Sequence, residues 1–119
     1  TKNNIKKLGL PFDDDIDVLL TRGENGWGSS KASRRLHVSK DYRVIMMFGD
    51  NLNDFFDLPD KADYVTRKES VLKHENMWGN KWFMLANPVY GHWEQSIYGF
   101  ELLDEESKTK AKLENIRVN

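Results

Sequence analysis

The stretch YRVIMMFGDNLNDF, residues 42–55, determines how the rest of this chain is interpreted. Residues 44–48 form a continuous apolar run without alternation, which is typical of a strand buried on both faces of a parallel sheet. Gly49 ends the run, and two aspartates and two asparagines follow at the strand's carboxyl end. Ligands bind at this edge of open α/β sheets, because the loops diverge there and leave a crevice. The sequence therefore predicts a functional site around Asp50 and Asp54.

The two carboxylates of this loop allow two interpretations. They repel each other unless a cation or a basic side chain lies between them. Mg²⁺ suits such a loop, since it takes one or two carboxylates together with water and phosphate oxygens. Gly, Asp and Asn are also ordinary turn residues, so an Asx-rich turn without a metal explains the same letters. The residues of the loop alone leave both interpretations open.

Longer strings carry a resemblance to a known family. GDNLNDF, with Lys31 upstream in the group KASR, resembles the haloacid dehalogenase-like (HAD) phosphohydrolases. Within that superfamily it is similar to the class C acid phosphatases, the bacterial lipoprotein nucleotidase family. Residues 86–94, ANPVYGHWE, look like the family's signature Pro-Asn-x-x-Tyr-Gly-x-Trp-Glu with Asn and Pro exchanged. The resemblance runs from about Ile5 to the C-terminal helix.

This resemblance implies a magnesium-dependent acid phosphatase that hydrolyses phosphomonoesters, nucleoside monophosphates among them. Asp50 would hold Mg²⁺, Asp54 would fix Lys31 or a metal-bound water, and the lysine would stabilise the charge of the transferred phosphoryl group. Tyr90 would contact the substrate by stacking on a nucleoside base. Alternatively, Tyr90 and Trp93 only hold their loop in place. The family further implies the bacterial envelope: the periplasm, the outer membrane or secretion.

The family's nucleophile is not found in this sequence. Its members attack phosphate with the first Asp of an Asp-x-Asp motif that ends their first strand, forming a phosphoaspartate. Here the acidic run at residues 13–17 precedes an apolar run at 18–20, so we interpret it as a solvated turn. We therefore expect the chain to be the C-terminal half of the enzyme, with the missing N-terminal half as its partner and no activity alone. The alternative is a non-catalytic domain that binds a partner through exposed aromatic side chains and a bare sheet edge.

The predicted fold is α/β, part of a Rossmann-like, HAD-type parallel sheet with flanking helices on both faces. Roughly three strands are expected, at residues 17–21, 44–48 and 81–85, and the N-terminal strands that carry the nucleophile are missing. We predict a single domain over residues 1–119. Its bare sheet edge could also pair with a second copy and give a homo-oligomer.

Four helices are predicted. Residues 1–9 are predicted to be the end of a helix with Gly9 as its C-cap. The second helix runs from Ser29 or Ser30 to about Lys40, with Lys31 in its first turn. The others cover about 62–76 and 104–118. Their inward-facing side chains are predicted to be Tyr64, Val65, Val71, Leu72, Leu113 and Ile116.

The glycine-rich stretch RGENGWGSS at residues 22–30 is predicted to be a loop. It lacks the GxxxxGKS or GxxxxGKT spacing of nucleotide-binding loops, so we interpret it as a flexible approach to the next helix. Trp27 could pack on a substrate, on the missing half or on the nearby surface. Arg34, Arg35 and His37 are interpreted as a solvated basic face, and His37 has no second His or Cys near it for a zinc site.

Composition excludes several classes of protein. The 18 Lys and Arg against 19 Asp and Glu give a net charge of −1, which argues against binding a nucleic acid polymer through bulk charge. There is no cysteine and hence no disulfide. The longest apolar run is far below the roughly 20 residues that span a bilayer. The first residues, TKNN, do not resemble a signal peptide.

Overall fold

The structure, a computed structural model, describes residues 1–11, 13 and 15–116. The chain forms two compact units, Thr1–Asp41 and Tyr42–Asn119. It is a mixed α/β protein with a small parallel sheet and flanking helices, which confirms the predicted fold class. The single-domain organisation stays a prediction.

The first unit begins with helix α1, Lys2–Lys7, and ends with helix α2, Ala32–Asp41. Gly9 has a φ of 67°, a left-handed conformation that glycine adopts without strain. Its amide donates to the Lys6 carbonyl oxygen (3.1 Å), and the next amide donates to the Ile5 carbonyl oxygen (3.3 Å). These two bonds form a Schellman motif, so the prediction that Gly9 ends the helix is confirmed.

The strand predicted at residues 17–21 is wrong, because that segment has no strand in the structure. Asp17 Oδ1 accepts the amide hydrogen of Leu19 (3.3 Å), and Asp13 Oδ1 accepts two further amides at 2.8 and 3.2 Å. These local Asx turns satisfy backbone groups that a strand would pair with a neighbouring chain. The acidic run is exposed, as a solvated turn requires, and Asp14 lies outside the described residues.

The second unit contains the sheet. Strand β1, Met47–Gly49, pairs in parallel with strand β2, Trp82–Met84, and Phe48 faces Phe83 in the register. The Leu85 amide continues the ladder by donating to the carbonyl oxygen of Gly49 (2.7 Å). β2 falls within its predicted range, 81–85, whereas β1 overlaps the predicted strand 44–48 at residues 47 and 48 and ends one residue later, at Gly49. Both strands are shorter than predicted.

The predicted burial of residues 44–48 on both faces is wrong. Ile45 is 67% exposed and Phe48 is 62% exposed. The described part of the chain forms a sheet of two short strands, so β1 has a neighbour on one side only. A two-stranded sheet cannot bury both faces of a strand as a wide, helix-covered sheet does.

The core of the second unit is an aromatic cluster around Phe55, which is 3% exposed. The Phe55 ring lies 5.0 Å from Trp78 and 5.6 Å from Trp82, while Phe56 stacks on His74 at 4.7 Å. Such pairs stabilise a fold by about 0.5–1.5 kcal/mol each beyond the area they bury. Because Phe55 directly follows the acidic loop, the cluster anchors that loop to the sheet.

Three helices complete the second unit: α3 at Tyr64–Lys73, α4 at His92–Ile97 and α5 at Glu105–Glu114. The predicted helices at 62–76 and 104–118 are confirmed with shorter bounds, and residue 118 lies outside the described residues. Asp63 and Asp104 cap α3 and α5 by accepting amide hydrogens, and these bonds lower the pKa of both carboxyls. Within the described ranges, no helix is long and apolar enough to cross a bilayer.

The predicted burial of the inward-facing side chains of α3 and α5 is wrong for most of them. Of the six, Val71 is half-buried, and the exposed ones are Tyr64, Val65, Leu72, Leu113 and Ile116. The buried side chain of α3 is instead Arg67, which is 8% exposed. The sequence pattern assumed a packed core against these helices, but several of these side chains border an open groove.

Candidate functional site

The loop after β1 is folded back on itself by Asp54. Its Oδ2 accepts the amide hydrogens of Asp50 and Asn51 at 3.0 Å each. The Asn51 side chain accepts the Asn53 amide (3.3 Å), which completes a capping box at the 3₁₀ turn Leu52–Asp54. The Asx-rich turn allowed by the sequence is therefore present, and it fixes the backbone from which the Asp50 side chain projects.

Gly49 is required by the close approach of Asp54. A Cβ atom at Gly49 would lie 2.4 Å from Asp54 Cβ and 2.5 Å from Asp54 Oδ2. These distances are shorter than any van der Waals contact between such atoms. The glycine thus lets the carboxylate reach back to the start of its own loop.

Asn87, the second residue of the loop that follows Leu85, joins the two strand ends. Its Nδ2 donates to Asp50 Oδ2 (2.8 Å), while its Oδ1 accepts the amides of Val89 (3.2 Å) and Tyr90 (3.4 Å). The side chain therefore orients the carboxylate and shapes its own loop at once. In the sequence, Asn87 stands out only as part of the signature at residues 86–94. Its position just after the second parallel strand was the available signal.

Gly91 brings the second loop against the first. Its φ of 147° is a conformation that favours glycine, and a Cβ there would lie 3.1 Å from Trp93 Cδ1 and 3.6 Å from Asn51 Nδ2. The two loops meet at the carboxyl edge of the sheet, as the parallel strand order predicts.

Asp50 keeps one carboxylate oxygen available. The side chain is exposed, Oδ2 accepts from Asn87, and no described residue donates to Oδ1. Among the described residues there is no group of three or more His, Asp or Glu side chains that could hold a metal ion by themselves. Any cation at this edge would therefore take most of its ligands from water, a substrate or residues elsewhere.

Tyr90 projects from the same loop and is 68% exposed. Its backbone is held by Asn87, while the Trp93 indole packs beside Gly91. This contact lies within the loop itself, and both interpretations of these aromatics stay predictions. The role of Tyr90 as a substrate contact stays a prediction.

Lys31 belongs to the first unit and directly precedes α2, one residue before its predicted place in the first turn. Its carbonyl oxygen accepts the Arg35 amide (2.9 Å), and Ser30 Oγ accepts the Ala32 amide (3.1 Å). The ammonium-bearing side chain is exposed. Its approach to Asp50, a residue of the second unit, stays a prediction.

The solvated basic face predicted for α2 is wrong at Arg34 and Arg35, which are both half-buried, whereas His37 is exposed. Arg34 Nη2 donates to the carbonyl oxygens of Ser29 and Ser30 at 3.1 Å each. The bonds hold the backbone just before Lys31. Trp27 packs within its own unit, with its ring edge-on to His37 at 5.2 Å.

Replacing Asn87 with Asp is expected to place two carboxylates in hydrogen-bonding range and to lower the melting temperature at pH 7. Asn87 Nδ2 now donates to Asp50, and a carboxylate at this position would repel it instead. Addition of 10 mM Mg²⁺ should then raise the melting temperature more in Asn87→Asp than in the unmodified chain. Asn80→Asp, an exposed turn residue, is the control. If Mg²⁺ raised the melting temperatures of Asn87→Asp and Asn80→Asp by the same amount, the coupling between Asn87 and Asp50 would be contradicted.

The chain is similar to known proteins in sequence and in structure. The sequence model of the family described as HAD superfamily, subfamily IIIB (Acid phosphatase), matches residues 1–93. The class C acid phosphatase from Bacillus anthracis is similar in structure, with a TM-score of 0.75 and 27% sequence identity. Its crystal structure with tungstate bound gives a TM-score of 0.76 at the same identity. In both comparisons the match covers 98% of this chain and 48% of the other, so the chain spans about half the length of these relatives.

Proposed function

Because the chain belongs to subfamily IIIB of the HAD superfamily, the acid phosphatases, we propose that it supplies part of the phosphate site of a magnesium-dependent phosphomonoesterase. The observation that carries this proposal is the Asp50 carboxylate, held by Asn87 at the carboxyl edge of the sheet. The relative whose structure contains tungstate, an oxyanion that mimics phosphate, supports the same class of substrate.

The residues at this edge fit Mg²⁺. Magnesium is usually held by one or two carboxylates and keeps several waters. Asp50 offers one oxygen that no described group occupies, and Asn87 fixes the orientation of the other. When bound, the cation would neutralise negative charge on the phosphate. Asp50 is the proposed protein ligand in this chain.

The other side chains have proposed roles in binding and orientation. Asp54 holds the Asp50 backbone by accepting its amide hydrogen. Its second proposed role is to fix the position of Lys31 or of a metal-bound water. Lys31 would counter the charge that grows on the phosphoryl oxygens during transfer. Tyr90 would stack on the base of a nucleoside monophosphate. The nucleophile, an aspartate that becomes phosphorylated, would come from the half of the family's fold that this chain does not span.

The test of this proposal compares phosphate-ester hydrolysis by the 119-residue chain with hydrolysis by a longer chain. We expect the 119-residue chain to be inactive on p-nitrophenyl phosphate at mildly acid pH with Mg²⁺. The same chain, extended upstream in its coding sequence to the length of the solved relatives, should be active and should lose activity with EDTA. Hydrolysis by the short chain that Asp50→Ala abolishes would contradict the half-site proposal.

The second candidate function is a non-catalytic domain that binds a partner. Exposed apolar side chains such as Ile45 and Leu85 favour an interaction surface of some kind. Inactivity at every chain length, with Mg²⁺ present, would favour this candidate over the phosphatase.

A further inference from the structure

A groove of about 1190 Å³ lies in the second unit, between β2, α3, α4 and the end of α5. Its lining is mostly apolar and includes Leu72, Met84, Leu85 and Ile116, each more than 40% exposed. Pockets for small ligands are typically 300–1,000 Å³, and contiguous exposed apolar surface on this scale marks an interaction site. The size and lining of the groove fit a polypeptide segment better than a small molecule.

Arg67 of α3 places a buried positive charge in this groove. The residue as a whole is 8% exposed, no described residue hydrogen-bonds or ion-pairs with its guanidinium, and the guanidinium nitrogens keep slight contact with solvent. Loss of hydration lowers the pKa of Arg67, and no neighbouring acid offsets this effect. A cation with so little exposure and no partner is costly, and an anion bound in the groove would offset that cost.

The other charges of the groove do not supply that partner. Lys112 is paired with Glu94 (2.5 Å), and Lys68 is exposed to solvent. Asp50 is the one carboxylate among the described lining residues, and it is bonded to Asn87 at the edge of the sheet. The groove therefore carries excess positive charge at Arg67 and complements an acidic occupant.

We propose that the groove receives an apolar segment with one carboxylate, which pairs with the Arg67 guanidinium, and that this segment comes from the half of the family's fold not spanned by these 119 residues. Two observations favour this occupant over others. The solved relatives are about twice the length of this chain, and the groove offers a planar guanidinium that binds carboxylates in a bidentate fashion. The surface thus joins the two halves through an apolar contact with an ion pair inside it.

The test is the effect of Arg67→Met on the melting temperature of two proteins: the 119-residue chain and the chain extended upstream to the length of its relatives. In the extended protein the substitution breaks a buried ion pair, and we expect a melting temperature lower by roughly 6 °C or more. In the short chain it removes an unpaired buried charge, so the melting temperature should stay equal or rise. Lys73→Met, on the same helix but exposed and outside the lining of the groove, should change the melting temperature of neither protein by more than about 2 °C.

The carboxylate is then identified by a double-mutant cycle in the extended protein. Each Asp and Glu of the added part is replaced by Asn or Gln, with and without Arg67→Met. One of them should lose its own effect on stability when Arg67 is already replaced. This cycle decides the question even if the short chain shows no cooperative transition. Its readout is stability, so it is independent of whether the protein is a phosphatase.

Other outcomes would overturn the proposal. Equal losses of stability in both lengths of chain would mean that Arg67 acts within the 119 residues alone. The absence of any coupled carboxylate would exclude an acidic segment. Dimerisation of the extended protein that Arg67→Met abolishes would make a second copy the occupant. A rise in the melting temperature of the extended protein with 10 mM acetate or phosphate, dependent on Arg67, would indicate a small anion.

Discussion

Replacing Asp50 with Asn in the extended protein is expected to lower kcat/KM for p-nitrophenyl phosphate by roughly a thousandfold, since a metal at the phosphate supplies several kcal/mol of charge stabilisation. The substitution keeps the size and shape of the side chain. Asn Oδ1 can still accept the hydrogen bond from Asn87 Nδ2, so the two loops stay joined. What the variant loses is the negative charge that the proposed Mg²⁺ requires.

The control for this experiment is Asp60→Asn, an exposed aspartate in the segment before α3. It makes the same change in charge away from the strand ends and should leave kcat/KM within about twofold, as surface substitutions usually do. The melting temperature of Asp50→Asn should stay close to that of the unmodified protein. Addition of Mg²⁺ should no longer raise the melting temperature of Asp50→Asn. Activity within tenfold of the unmodified protein would remove Asp50 from the proposed metal site.

The sheet and its two loops could be predicted from sequence because the signals are local. An apolar run ended by Gly49 indicates a strand followed by a turn, and residues 81–85 repeat that pattern. Parallel pairing then places both following loops at one edge. Capping is equally local, which is why Gly9 could be recognised as a helix end.

The prediction of a strand at residues 17–21 was wrong because strand formation there depends on a non-local contact. A strand is stabilised by a neighbouring chain, and the three apolar residues at 18–20 carry no information about whether one is present. Asp17 bonds the Leu19 amide instead, a local alternative that the acidic composition makes available. The same dependence on distant chain explains why Ile45 and Phe48 are exposed although their sequence pattern predicts burial.

The Asn87–Asp50 contact and the burial of Arg67 could not be derived from the sequence. Asn87 and Asp50 are 37 residues apart, and the bond between them depends on the path of two loops. Arg67 is the buried side chain of α3, whereas helical periodicity selected apolar residues such as Val65 and Leu72, both more than half exposed, as the inner face. Long-range placement, and not residue type, determines both features.

Replacing Gly49 with Ala is expected to lower the free energy of unfolding by about 3 kcal/mol or more, measured by urea denaturation of the 119-residue chain. The new methyl group would lie 2.4 Å from Asp54 Cβ, so either the strand or the loop must move. Any movement of Asp54 costs the two bonds from its Oδ2 to the Asp50 and Asn51 amides. The extended protein should lose phosphatase activity as well, because the Asp50 backbone is no longer fixed.

Two further variants separate this steric cause from a general effect of alanine. Gly28 has nothing within 4 Å of an added Cβ and no positive φ, so Gly28→Ala should change the stability by less than about 0.5 kcal/mol. Asp54→Gly removes the atoms that the new methyl group would strike. Gly49→Ala should therefore cost much less in the Asp54→Gly background than alone, because the overlap is gone and the loop bonds are already lost. An equal cost in both backgrounds would show that the requirement for glycine arises from the strand itself, and not from the return of Asp54 to the start of its loop.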